Sequence, residues 1–105
     1  MAYNILIIDD SQTIRSVIAK TLNVAGVDIG ELHEAGNGQE GLEKLGSEWI
    51  DLCFVDINMP VMTGMEMVKK MKESGMLETV PVVVVSTEGS KSRIKELDDL
   101  GVSAY

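Results

Sequence analysis

Ile5-Leu6-Ile7-Ile8-Asp9-Asp10-Ser11 is the stretch on which the fold turns. Its apolar side chains run without alternation and stop abruptly at two carboxylates. A strand half-exposed to water alternates apolar with polar; an unbroken run reads as a strand covered on both faces, the habit of parallel sheets. Two further runs share this texture. Leu52-Cys53-Phe54-Val55 stops at Asp56, and Val82-Val83-Val84-Val85 stops at Ser86 and Thr87.

Helical spacing fills the intervals. Ile14, Val17, Ile18, Leu22 and Ala25 fall at i, i+3, i+4, i+8 and i+11, one apolar stripe. Met65, Val68 and Met71 repeat at three, as do Ile94, Leu97 and Leu100, while Leu42 and Leu45 mark a shorter helix. Gly26, Gly46, Gly75 and Gly101 each follow such a stretch, where a left-handed cap needs no Cβ. Ser11 and Ser90 suit N-caps, and Pro81 precedes the valine run, where its missing N–H costs least. Glu31 to Ala35 predicts a second, more polar strand, and Gly101 to Tyr105 begins a fifth. The order βαβαβαβαβ implies an α/β fold, a parallel sheet with helices on both faces.

Composition bounds the rest. The chain has 105 residues, enough for one domain, with no internal repeat or linker-like tract. A formal net charge of −8 opposes nonspecific binding to nucleic acid or anionic membrane. The single cysteine makes no internal disulfide and fits a reducing compartment. No basic leader precedes the first apolar run, and no apolar stretch approaches a bilayer span, so a cytoplasmic protein is expected.

In open α/β sheets, chemistry gathers beyond the C-terminal strand ends. Here those ends carry Asp9 and Asp10, then Asp56, then Ser86 and Thr87. If the strands are adjacent, three carboxylates converge. Two carboxylates about 4 Å apart repel by roughly 4 kcal/mol at an effective dielectric near 20. A hard divalent cation relieves that conflict, and Mg²⁺ prefers one or two carboxylates with water and phosphate oxygens. The pattern predicts a Mg²⁺ site able to hold a phosphoryl group, with Asp56 a candidate nucleophile. The plainer alternative is that Asp10, beside Ser11, merely caps a helix.

Gly36-Asn37-Gly38-Gln39-Glu40-Gly41 matches the dinucleotide fingerprint G-x-G-x-x-G. The strand before it is short and polar, and the chain is too short for two mononucleotide-binding halves, so a turn into a helix is the reading adopted. His33 stands without a second imidazole and reads as a surface or half-buried residue. Cys53 reads as a small buried hydrophobe, the methionines between Met59 and Met76 mostly as core, and Lys69, Lys70 and Lys72 as a solvated face. Trp49 is expected to lid the sheet edge.

Taken in order, Asp9-Asp10, Asp56-Ile57-Asn58-Met59-Pro60 with Gly64, Val82 to Glu88, and Gly101-Val102-Ser103-Ala104-Tyr105 resemble the receiver domain of two-component response regulators, most of all the single-domain, chemotaxis-type regulators of the CheY kind. The resemblance spans residues 1–105 and implies a flavodoxin-like three-layer sandwich with strand order 2-1-3-4-5. It implies that Asp56 is the phosphoacceptor for a histidine kinase's phospho-His. Mg²⁺ would be held by Asp10, Asp56 and the backbone carbonyl of Asn58, with Asp9 helping through water. Ser86 matches the switch hydroxyl and Tyr105 the aromatic switch, while Asn58 and Glu88 fall where the family tunes the lifetime of the phosphorylated state. The output would be a partner protein bound through the Ser90 to Tyr105 face.

The pattern departs from the family beyond Tyr105, where a Lys-Pro pair and a final helix are expected. The domain is therefore read as C-terminally incomplete. Loss of that helix is expected to expose Ile5 to Ile8 and the third strand on one face, so that the chain dimerises, exchanges elements or is marginally stable. Two rival functions remain. A receiver-like interaction module that no longer switches would fit the missing Lys. A Mg²⁺-dependent phosphohydrolase of the Asp-x-Asp type would need an acid where Asn58 stands.

Overall fold

Tyr3–Ile8 forms the first strand, β1, in the computed structural model, which describes residues 2–56, 62–85, 95 and 101. Helix α1 (Gln12–Val24) follows, then β2 (Ile29–Ala35), α2 (Gly38–Ser47), β3 (Leu52–Val55), α3 (Gly64–Ser74), the single turn α4 (Met76–Thr79) and β4 (Val82–Val84). All pairings are parallel, and the sheet order is β2-β1-β3-β4. This is the α/β architecture and the first four places of the order 2-1-3-4-5. The expected fifth strand and the Ile94–Leu100 helix lie outside the described residues, apart from Lys95 and Gly101.

Only the first apolar run has the cause assigned to it: β1 is covered on both faces, whereas β3 and β4 alternate, with Leu52, Phe54 and Val83 half-buried. β1 lies between β2 and β3, and Ile5, Leu6 and Ile7 are fully buried. Right-handed crossovers place α1 on one face of the sheet and α2 and α3 on the other, because the chain moves one way to β2 and the opposite way to β3 and β4. On the second face Leu6, Ile8, Cys53, Val55, Val82 and Val84 meet Met67, Val68 and Met71 of α3 in the main core. Met67 and Met71 act as packing, as expected, with Met67 rather than Met65 fully buried. Cys53 is wholly buried, and burial pushes its thiol up to about 12.

The glycine fingerprint dissolves into the same packing. Asn37 caps α2, accepting from the Glu40 N–H at 2.9 Å, and Gly38 and Gly41 are helical. A Cβ on Gly41 would lie 2.5 Å from Ile8 Cδ1, and one on Gly38 would lie 3.0 Å from the Met62 carbonyl oxygen. Gly41 lets α2 approach β1, and Gly38 lets it approach the backbone at Met62.

Several expectations are corrected. Gly46 lies within α2, whereas Gly26 and Gly75 do take positive φ. Trp49 does not lid the sheet: it is 77% exposed, held at its rim by an indole N–H donated to Asp51 Oδ1 at 3.0 Å. Ile5 to Ile8 are not uncovered, because flanking strands and the helical layers enclose them. The exposed apolar surface lies on α1 instead, where Ile14 and Val17 are 42% and 54% exposed and no residue is fully buried. Phe54 of β3 is only half-buried. Among the described residues α1 is the only long helix on its side of the sheet, so its stripe meets β1 with its inner edge alone.

Candidate functional site

The backbone ladder continues one residue past each strand end, and this builds the site. The Asp9 N–H donates to the Ala35 carbonyl at 3.1 Å, the Asp56 N–H to the Ile8 carbonyl at 3.0 Å, and the Val85 N–H to the Val55 carbonyl at 2.9 Å. Because Ile8 is in register with Val55, the residues that follow them are brought to one edge. Carboxylate oxygens of Asp9, Asp10 and Asp56 all lie within 4.8 Å of one another. The convergence expected from the strand ends is therefore present in the fold.

The three carboxylates differ in setting. Asp9 is buried, Asp56 half-buried and Asp10 exposed. Burial pushes the Asp9 carboxyl above its ordinary value; the Ser11 N–H, donated to Asp9 Oδ1 at 2.9 Å, opposes this, and neighbouring Asp10 reinforces it. Ser11, not Asp10, caps α1, its hydroxyl accepting the Ile14 N–H at 3.3 Å. The plainer reading of Asp10 as a cap thus fails, and its carboxylate is left facing the cluster.

Oxygen donors and surplus negative charge suit a hard divalent cation. Oxygens bound to one octahedral Mg²⁺ at about 2.1 Å stand at most about 4.2 Å apart, so the cluster needs only small side-chain rotations to close on an ion. The carboxylates open into a cleft of about 430 Å³, whose other wall is apolar: Ile14 and Val17 of α1, and Val85. Asn58, Ser86, Glu88, Tyr105 and, apart from Lys95 and Gly101, the Ser90–Tyr105 face lie outside the described residues.

Sequence reasoning missed Arg15 and Glu34. Arg15 donates from Nη1 to the Asp9 carbonyl oxygen at 2.6 Å and from Nε to Glu34 Oε1 at 3.0 Å. A signal was available, since a cation near the start of a helix opposes the helix dipole and calls for another partner. The Thr63 capping box, with Glu66 accepting in return, also stood in the sequence as Thr-x-x-Glu and starts α3 soon after Asp56.

A profile of the response regulator receiver domain matches residues 5–105. The chain belongs to that family. Among receivers, the Helicobacter pylori chemotaxis protein CheY1 is 33% identical over 102 residues, covering 96% of this chain and 81% of the relative. A chemotaxis protein CheY homolog of Campylobacter jejuni is 36% identical over 102 residues, covering 96% and 77%. The crystallised Vibrio cholerae chemotaxis protein CheY4 superposes with a TM-score of 0.83 at 33% identity, covering 99% of this receiver and 84% of that chain. Among the described residues no helix is long and apolar enough to cross a membrane.

Proposed function

We propose that this receiver is a phosphorylation-driven switch. A carboxylate oxygen of Asp56 attacks the phosphorus of a histidine kinase's phospho-His. The P–N bond breaks, its electron pair returns to the imidazole nitrogen, which takes up a proton, and an aspartyl phosphate forms. The protein acts on itself rather than turning over a substrate, in the cytoplasm, without contacting nucleic acid or membrane directly.

The observation that supports this is the meeting of Asp9, Asp10 and Asp56 within 4.8 Å beyond adjacent parallel strands. Mg²⁺, held by Asp10, Asp56 and the Asn58 carbonyl with Asp9 behind, would neutralise charge on the incoming phosphoryl oxygens. Asp56 is placed by its strand-like N–H bond to Ile8, so the nucleophile is aimed by rigid backbone, not by a loop. Ser86 and Tyr105 then serve as the hydroxyl and aromatic switches, Asn58 and Glu88 tune persistence, and the Ser90–Tyr105 face carries the output to a partner protein.

Incubation with acetyl phosphate tests the reading. With Mg²⁺ the mass should rise by one acid-labile phosphoryl group, and chelation should abolish the gain; the assay should include a form continued past Tyr105 by the family's Lys-Pro pair. No label in either form would leave a non-switching interaction module. Multiple turnover on phosphomonoesters would support a phosphohydrolase, for which Asn58 supplies no acid.

A further inference from the structure

We propose that Arg15 is a positioning residue for the cation site, clamping the Asp9–Asp10 peptide through its pairing with Glu34. The proposal rests on the Mg²⁺ reading above and concerns what keeps the site in shape.

Asp10 is exposed, so no packing shell fixes its direction. What orients it is the backbone on either side. The peptide joining Asp9 to Asp10 is gripped at its oxygen by Arg15 Nη1 at 2.6 Å. Its Asp9 end is held by the N–H bond to Ala35, and the Asp9 carboxylate by the Ser11 N–H. The same guanidinium turns its Nε to Glu34 Oε1, and Glu34 precedes the Ala35 that anchors Asp9. One planar fork therefore ties the end of β1, the end of β2 and the first turns of α1. The Arg15 side chain is only 17% exposed, so the fork is held in place.

Two effects of Arg15 on cation binding oppose each other. As a positive charge beside the site it should repel Mg²⁺. As a clamp it should favour Mg²⁺ by holding Asp10 in the binding geometry. Glu34 tips the balance, because it neutralises the charge while leaving the hydrogen bond to Asp9 intact. The net sign is thus a measurable prediction: removing Arg15 should weaken Mg²⁺ binding although it removes a like charge.

Mg²⁺ alone, titrated calorimetrically into the whole chain, decides the matter, with thermal melts to show that each variant folds. R15Q is expected to weaken binding about tenfold, the scale of losses when a residue that orients a metal ligand is removed. Unchanged or tighter binding by folded R15Q overturns the proposal. R15K keeps the charge but cannot hold both partners in one plane, so it should fall between R15Q and the wild type; wild-type affinity in R15K overturns it equally, and this variant decides if R15Q does not fold. E34Q should weaken binding in the wild-type background and change little in R15Q. Equal losses in both backgrounds would show that Glu34 acts only as a charge and overturn the pairing. A wild-type chain that binds no Mg²⁺ overturns the cation-site reading itself, and the clamp with it.

Discussion

Asp9 is a buried residue, 4% exposed, whose carboxyl group lies next to Asp10 and within reach of Asp56. Burial and the neighbouring carboxylate raise its pKa, whereas the Ser11 N–H and Arg15 limit the rise. The sign of the consequence follows from linkage. With the folded-state pKa above the unfolded one, the folded chain holds its proton to higher pH, and stability falls as pH rises from the ordinary carboxylate range through the raised value. At neutral pH without metal, Asp9 therefore works against the fold. Asp9→Asn should raise the melting temperature of the metal-free chain at pH 7 and reduce the stabilisation that Mg²⁺ confers on the wild type. Melts with Mg²⁺ and with chelator check both; a metal-free variant less stable than the wild type would contradict the assignment of strain to this carboxylate. On the proposed cation-site reading, a bound ion that meets only the folded state would return that stability.

At the scale of elements, α2 and β1 meet through a glycine, and the contact decides between two opposing effects. Ala is favoured over Gly within a helix by about 1 kcal/mol. At Gly41 the added methyl would lie 2.5 Å from Ile8 Cδ1 and 3.2 Å from Met67 Sδ, and overpacking of that kind costs about 1–3 kcal/mol. At Gly46 nothing lies within 4 Å. Urea unfolding should thus find Gly46→Ala more stable than the wild type and Gly41→Ala less stable. Because Ile8 precedes Asp9, Gly41→Ala should also disturb the carboxylates. The same pair shows what was legible in the sequence. Strand ends at Asp9 and Asp56 could be read because an apolar run cut off by carboxylates is a local signal with few meanings. The packing role of Gly41 could not, since a close approach to Ile8 is a tertiary fact; position after a leucine made Gly46 look like a cap, while the polar strand before Gly36 was enough to read Gly36 to Gly41 as a turn into a helix. Arg15 and Glu34 escaped because, although β2 was expected beside β1, no local signal pairs a residue of the first turn of α1 with one at the end of β2. Trp49 was misplaced because hydrophobicity alone does not say that Asp51 will hold its indole outward.

For the molecule as a whole, periodicity identified the apolar stripe of α1 but not what it covers. Ile14 and Val17 stay exposed along one helix, beside the cleft that ends in the carboxylates. Apolar strips on a small acidic domain mark surfaces that associate. Sedimentation velocity should show self-association of this chain, and Val17→Lys should shift it to monomer; a monomer at every wild-type concentration would contradict an associating α1 face. The sheet, by contrast, is closed around β1, and this rigidity lets backbone bonds rather than loops aim the site. Asp56 at this sheet edge is proposed to accept a phosphoryl group in the presence of Mg²⁺. Borohydride reduction after treatment with acetyl phosphate and Mg²⁺ tests it most directly, because an aspartyl phosphate is reduced to homoserine and can be located by peptide mass mapping. Homoserine is expected at position 56, dependent on Mg²⁺ and absent from Asp56→Asn; an unmodified Asp56, or the label on Asp9 or Asp10 instead, would overturn the assignment.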